Sequence, residues 1–232
     1  MMLKKWDNLP DFMQVKEIKP YYDILRRHRG SLIIKRVFDI IAGSILIAIL
    51  AVPMCIIAVM IKKDSSGPVF YRQERVTVYG KKFRIHKFRT MVDGADRKGS
   101  TVTVDNDNRI TKIGATLRDR RLDELPQLFD VLDGNMSFVG TRPEAVKYVE
   151  QYGKYDKAYY ATLLMPAGIT SETSIRYKDE AQLLEEADDV DLVYMRDILP
   201  GKMKWNLDSI KNFSLINDIK TMFRTVGAVR KR

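Results

Sequence analysis

The sequence predicts a mostly helical α+β membrane protein: one apolar helix near the N-terminus that enters and leaves the bilayer by the same face, then a small cytosolic domain containing a β-hairpin. Three observations predict it. From Val37 to Ile61 the chain reads "VFDIIAGSILIAILAVPMCIIAVMI", with Asp39 as its only charge. Lysines and arginines crowd both flanks of that run. Farther on, Val76, Val78, Phe83 and Ile85 alternate with polar residues about Tyr79-Gly80-Lys81, the period of two half-buried strands joined by a turn.

At about 1.5 Å per residue, a helix over the apolar run exceeds the roughly 30 Å hydrocarbon thickness of a bilayer. A buried core helix is the plainer alternative. A signal peptide fits poorly, because the run is too long and the following "KKDSSG" lacks a small-residue cleavage pattern. Arg26, Arg27, Arg29, Lys35 and Arg36 lie upstream, and Lys62, Lys63, Arg72, Arg75, Lys81, Lys82, Arg84, Lys87 and Arg89 downstream. Basic flanks prefer the cytoplasmic side, and a single pass satisfies only one of the two. Pro53 lacks a backbone donor and kinks a helix, so a bent, re-entrant segment satisfies both. The chain therefore divides into a basic leader over 1–34, a re-entrant helix over 35–62 kinked at Pro53, and a cytosolic domain over 63–232.

The chain has 232 residues and a formal charge of +10. That charge suits a polyanionic partner: nucleic acid, an anionic membrane surface or a phosphorylated substrate. Aromatic residues interleave with cations around Phe70, Tyr71, Tyr79 and Phe83, yet no motif of a nucleic-acid module accompanies them, and nucleic acid is set aside. Cys55, the lone cysteine, excludes an intrachain disulfide or a cysteine metal cluster and favours a reducing compartment.

Weaker signals read blandly. "DNDNRITKIG", from Asp105, starts like a calcium loop but has Ile110 where such loops need glycine, so a polar turn is expected. His28 and His86 stand alone, without ligand spacing or an evident partner. The acidic stretch from Asp179 to Asp191 reads as a solvated helix face. Ile216, Ile219, Phe223 and Val226 recur at helical spacing beside Lys220, Arg224 and Arg230, which suits either an anionic membrane surface or a core-facing helix with a basic tail.

The stretch "RRLDELPQLFD" sets Asp123 and Glu124 side by side. Neighbouring carboxylates resist joint ionisation unless cations, hydrogen bonds or a metal compensate. Pro126 suits a helix start and Gly134 its end, which places both acids at a helix N-terminus, with Arg118, Arg120 and Arg121 adding positive charge. An ionised aspartate is a competent nucleophile toward phosphorus, and a neighbouring glutamate can hold magnesium. An N-cap aspartate with a first-turn glutamate is the purely structural alternative. "GNMSFVGTRPE" adds a Gly-bracketed loop that exposes Arg142 before Pro143, an arginine suited to bidentate phosphate binding.

From Lys35 onward the chain resembles the monotopic phosphoglycosyl transferases, the polyprenyl-phosphate type of bacterial sugar transferase. The resemblance rests on "KRVFDI", "GPVFYRQERV", "KFRTM", "RITKIGATLR", "LDELPQLFDVLDGNMSFVG" and "TRPE", in the family's order and spacing. It implies transfer of a phosphosugar from a UDP-sugar to polyprenyl phosphate at the cytoplasmic leaflet of the bacterial inner membrane, as the first membrane step of surface polysaccharide or glycoprotein glycan assembly. It also implies Asp123 as nucleophile, Glu124 as ligand of a magnesium cofactor, and Arg118 and Arg142 on phosphate. Lys87 and Arg89 fall on basic family positions near the active site, with Gln73 and Arg75 beside them, and Pro53 falls on the proline of the re-entrant helix.

Thr141 stands where the family commonly has proline, and "MPAGITSETSI" departs from "PGITG" by Ala167 before Gly168 and Ser171 after Thr170. The second departure bears on which sugar the C-terminal part accepts. The short leader resembles a minimal member without the additional membrane-spanning domain of larger relatives. Two rival functions follow from the same residues: a single-pass protein with a non-catalytic anion-binding domain, and a glycosyltransferase that releases UDP. The sugar, the pathway and any homo-oligomer are not specified by the sequence.

Overall fold

A computed structural model describes residues 3–95, 107–177, 180–184 and 189–230. Asp105 of the calcium-like stretch and Asp179, Glu185, Glu186 and Asp188 of the acidic stretch lie outside them.

The leader begins with two short 3₁₀ turns and helix α1 (Lys19–Arg27), which has Pro20 in its first turn and Arg26 and Arg27 in its last, each suited to that end. It is not a free basic tail. Leu3, Leu9, Met13, Ile18, Tyr22 and Leu25 are buried in the largest apolar cluster.

Helix α2 (Arg29–Asp64) runs for 36 residues with Pro53 inside it. It begins ahead of the expected Lys35 because nothing from Arg29 to Ile34 breaks a helix. Its buried positions form one stripe: Leu32, Lys35, Asp39 and Gly43, then Met54, Ile57 and Ile61. The remaining faces expose Ile33, Ile34, Val37, Ile41, Ile45, Ile49, Val52, Ile56 and Val59.

The predicted hairpin forms from β1 (Phe70–Val76) and β2 (Lys82–Phe88), antiparallel with Gln73 opposite Ile85 and Tyr71 opposite Lys87. Tyr79 and Gly80 turn it with φ of 57° and 76°. Helix α3 (Lys112–Asp119) is capped by Thr111, whose hydroxyl accepts from the Gly114 amide. Helix α4 (Gln127–Leu132) packs Leu128 and Val131 under Phe83 and Ile85 of the hairpin.

A second sheet was not expected. Within the stretch read as a loop, β3 (Met136–Val139) is a strand, parallel to β4 (Ala167–Thr170). The connection between them carries α5 (Val146–Tyr155) and a 3₁₀ run, Lys157–Leu164. Just past β3 the two chains approach so closely that a Cβ on Gly168 would lie 2.2 Å from the Gly140 nitrogen, so both positions need glycine.

Helices α6 (Glu172–Arg176), α7 (Glu180–Leu183) and α8 (Val190–Val193) lead through a five-residue π turn, Tyr194–Ile198, into α9 (Leu199–Lys211) and α10 (Leu215–Arg230). The acids of this region are not merely solvated. Glu180 pairs with buried Lys202 at 2.9 Å, and Asp191 accepts from Lys147 and the Tyr148 hydroxyl. Helix α10 lies beside α2, tied by Lys35 Nζ to Asp218 Oδ2 at 2.6 Å. Its outer face exposes Ile216, Ile219, Phe223 and Val226, while Met222 on the opposite face packs against the cluster of Phe83, Ile85 and Phe138.

The polar groups toward both ends of α2 bond to helices and a strand of the domain. Arg36 donates to the terminal carbonyls of α4, Val131 O at 2.6 Å and Leu132 O at 2.8 Å. Asp39 accepts from Ser137 Oγ and the Phe138 amide of β3, both at 3.1 Å. Farther along α2, at its last residue, Asp64 accepts from the Ile113 amide in the first turn of α3 at 3.0 Å.

Candidate active site

The site is built where α3, β2 and the loop after β3 converge. The chain leaves α3 through Arg121, which adopts the left-handed conformation at φ 55°. That reversal sends Leu122 and Leu125 toward the cluster of Phe88 and Leu117 and leaves Asp123 and Glu124 in a 3₁₀ turn, Leu122–Glu124.

Glu124 is buried, and its Oε1 accepts from Lys87 Nζ at 2.9 Å and from Arg142 Nη2 at 2.7 Å. Burial opposes its ionisation, but the two cations overcome that and hold it well below the usual carboxylate range. Arg142 is raised in turn, chiefly by Glu124. Asp123 differs. Burial pushes it above its ordinary value, Lys87 draws it back, Glu124 raises it again, and Arg118 and Arg121 lower it. The neighbours are thus pushed apart, one a fixed anion and the other a more basic carboxylate.

The expected compensation by a helix N-terminus is corrected here. Helix α4 has 6 residues, starts at Gln127 and is separated from the pair by Leu125-Pro126. Side-chain cations from two other elements compensate Glu124 instead, while the expected Arg118 and Arg121 act on Asp123.

The remaining expected residues divide. Arg118 acts on Asp123 through charge. Arg75 donates to Gln73 Oε1 at 2.5 Å and lies close enough to Glu144 and Arg142 for their charges to act on it. Arg89 is turned elsewhere: its guanidinium holds Ser65 O at 2.7 Å and Ser66 O at 2.5 Å, closing the turn after α2. Pro53 lies within α2, away from the polar groups.

His86 is not alone. Asp130, almost fully buried, accepts from its amide at 2.8 Å and lies 2.8 Å from its Nδ1, pinning β2 to α4. No local pattern signals it, because the partners are 44 positions apart. Glu144 was likewise visible only within "TRPE". It accepts from the Tyr194 hydroxyl at 2.9 Å and faces Lys202 at 3.4 Å.

A cavity of about 250 Å³ opens on Asp119, Arg121, Glu124 and Arg142. Its walls are Leu46 and Leu50 of α2, Leu125, Leu128, Phe138, Ile169, Ile175, and Thr225 and Ala228 of α10. The site thus joins a charged end, two arginines beside two carboxylates, to an apolar body. Among the described residues no three His, Cys, Asp or Glu side chains gather to hold a metal. A divalent ion beside Glu124 would therefore take most of its oxygens from a phosphorylated substrate and water.

Residues 30–232 match the family described as bacterial sugar transferase. The chain belongs to that family. It is 35% identical over 196 residues to a UDP-N-acetylgalactosamine-undecaprenyl-phosphate N-acetylgalactosaminephosphotransferase of Aeromonas hydrophila, covering 84% of this chain and 43% of the relative. It is 35% identical over 202 residues to a UDP-glucose:undecaprenyl-phosphate glucose-1-phosphate transferase of Escherichia coli, covering 86% and 41%. A protein of the same name from Caulobacter vibrioides is 34% identical over 195 residues, covering 84% and 69%. The chain spans about two-fifths of the length of the first two. The sugar transferase match begins at residue 30, so the leader that packs under α9 precedes the matched part.

Proposed function

We propose that this bacterial sugar transferase moves a phosphosugar from a UDP-sugar to polyprenyl phosphate through a covalent aspartyl intermediate, with release of UMP. The observation that carries this is the split between the two acids: Glu124 held anionic by Lys87 and Arg142, and Asp123 made more basic beside them. The names of the relatives support the substrate classes.

In the first half-reaction an Asp123 oxygen attacks the phosphorus that bears the sugar, and the bond from that phosphorus to the bridging oxygen breaks as UMP leaves. In the second, a phosphate oxygen of polyprenyl phosphate attacks the same phosphorus and Asp123 departs, leaving the sugar on a lipid diphosphate. Arg142, Lys87 and Arg118 offset charge on the phosphoryl oxygens. Magnesium fits this donor set, because both cations hold Oε1 of Glu124 and leave Oε2 for an ion whose other ligands are phosphate and water. When bound it would neutralise charge on the transferring phosphate.

For topology we propose a monotopic protein, α2 re-entrant and the domain at the cytoplasmic face of the bacterial inner membrane. Arg36 and Asp39 at one end of α2, and Asp64 at the other, bond to the same small domain, which supports an element that returns to the side it came from. The exposed apolar faces of α2 and α10 support burial of both in one leaflet.

The test is the nucleotide product. With a UDP-sugar panel and no lipid, UMP should appear as a burst near one equivalent per site, with the phosphosugar mapped by mass spectrometry to Asp123. UDP as the product would sink the proposal.

A further inference from the structure

We infer that Asp130 and His86, a buried pair that the proposed reaction does not touch, are positioning residues for Lys87: they fix the register of β2 against the turn that carries the two acids of the site. The inference rests on the phosphosugar transfer proposed above and adds what keeps one of its cations in place. His86 and Lys87 are consecutive on β2, and their partners share one short segment, Asp130 on α4 and Glu124 in the turn before it. Lys87 Nζ donates to Glu124 Oε1 at 2.9 Å. The His86 amide donates to Asp130 Oδ2 at 2.8 Å, and His86 Nδ1 lies 2.8 Å from Asp130 Oδ1. Both oxygens of one carboxylate thus hold a single residue of the strand.

Among the described residues β2 pairs with β1 alone, so the amides along its other edge need acceptors from elsewhere. A neutral carbonyl would satisfy the His86 amide. Asp130 is instead a carboxylate with 1% exposure, a group that is costly to bury without compensation. What it adds is geometry. It grips the backbone and the ring of His86 together, so β2 can neither slide nor rotate without breaking one of the two bonds. Edge contacts with Phe70 and Phe129, at 6.4 and 6.0 Å between ring centroids, orient the imidazole. With Asp130 ionised, Nδ1 carries the proton that it donates. Register matters here because side chains alternate along a strand, and a slip of one position would turn Lys87 away from Glu124. Lys87 is also the strongest of the cations acting on Asp123, so a displaced β2 would disturb both acids.

The experiment follows the UMP burst in full-length protein, comparing wild type with His86→Phe, Asp130→Leu and Asp130→Asn. His86→Phe keeps the ring packing and the amide bond but loses Nδ1, whereas Asp130→Leu loses both bonds. Each should slow the burst by about tenfold or more, the scale of a small misplacement near reacting groups. The amplitude should stay near one equivalent per site and the KM for UDP-sugar should change little. Asp130→Asn should recover most of the rate, because its Oδ1 can accept from the amide while its Nδ2 donates to Nδ1 of the other His86 tautomer. In a Lys87→Met background, His86→Phe should cause no further loss, since the group it positions is gone. Losses that multiply in that double variant, wild-type rates in both His86→Phe and Asp130→Leu, or an Asp130→Asn protein as slow as Asp130→Leu would overturn the inference. If Asp130→Leu loses amplitude as well as rate, it has not folded, and His86→Phe decides alone. A wild type without a burst condemns the covalent route instead, and the same variants are then compared in steady-state transfer.

Discussion

Arg142 and Lys87 converge on a single oxygen, Oε1 of Glu124, at 2.7 and 2.9 Å, one from the loop after β3 and the other from β2. Both cations hold Glu124 ionised, which leaves the raised Asp123 as the acid of the pair that titrates at the higher pH. The acid limb of the UMP burst against pH should therefore report Asp123 and lie above the ordinary aspartate range. Lys87→Met removes the largest influence lowering Asp123 and should move the limb to higher pH. Glu124→Gln removes an influence raising it and should move the limb to lower pH, whatever it does to the rate. Shifts in the same direction would refute the assignment.

The same imbalance makes a stability prediction. The folded protein resists ionising Asp123, whose folded pKa is raised. The resulting cost is absent below the unfolded aspartate value and fully present above the folded one. Asp123→Asn should abolish the adduct yet raise Tm by a few degrees near neutral pH, with the gain fading as the pH falls through the folded pKa. A lower Tm at neutral pH would mean that the carboxylate is structural.

How much of this was legible depended on whether the signal was local. The apolar run, the hairpin period about Tyr79-Gly80 and the acid pair are each contained in a few consecutive residues, and the structure forms α2 and the β1–β2 hairpin from the first two. The compensation of the pair is only partly local: Arg118 and Arg121 act on Asp123 as their nearness suggests, but Pro126 advertises a helix start while the cations that hold Glu124 come from positions 37 and 18 residues away. Strand β3 was hidden by its bracketing glycines, which look like loop and in fact permit the close approach of Gly140 to Gly168. His86 and Asp130 meet only through the packing of α4 under the hairpin.

Lys202 offers a test of the buried network behind the site. Its ammonium lies 2.7 Å from the Tyr194 hydroxyl and 2.9 Å from Glu180, and reaches Glu144 at 3.4 Å. Lys202→Met strands two carboxylates and should cost about 3–5 kcal/mol in chemical denaturation. Tyr194→Phe removes one neutral donor from Glu144 while leaving the cation, and should cost about 1–2 kcal/mol. Because Glu144 follows Pro143 and Arg142, a folded Tyr194→Phe protein should also bind the UDP-sugar more weakly, seen as a higher KM with kcat little changed. Equal losses from the two substitutions would remove the case for Lys202 as the central charge.

The last prediction concerns α2, whose two ends bond to one domain through Arg36, Asp39 and Asp64. A cysteine at Gly30 has open space for its Cβ, and Ser66 is exposed beyond the far end of the helix. In a protein lacking Cys55, thiols at 30 and 66 should both react with reagents confined to the cytoplasmic side, and neither from outside. Labelling of either one from outside would make the helix a simple span. Pro53→Leu restores a backbone donor and relieves the clash with the preceding turn, which favours a straight helix. The Asp39 contacts to β3 and the Asp64 bond to α3 hold α2 to the domain near both ends, so Pro53→Leu alone should leave most of the labelling unchanged. Combined with Asp64→Ala, which frees the Ile113 amide and releases that end, it should expose a fraction of position 66 to the outside. A double variant that labels like the wild type would show that the apolar packing of Met54, Ile57 and Ile61, rather than the polar bond at Asp64, holds the second half of the helix.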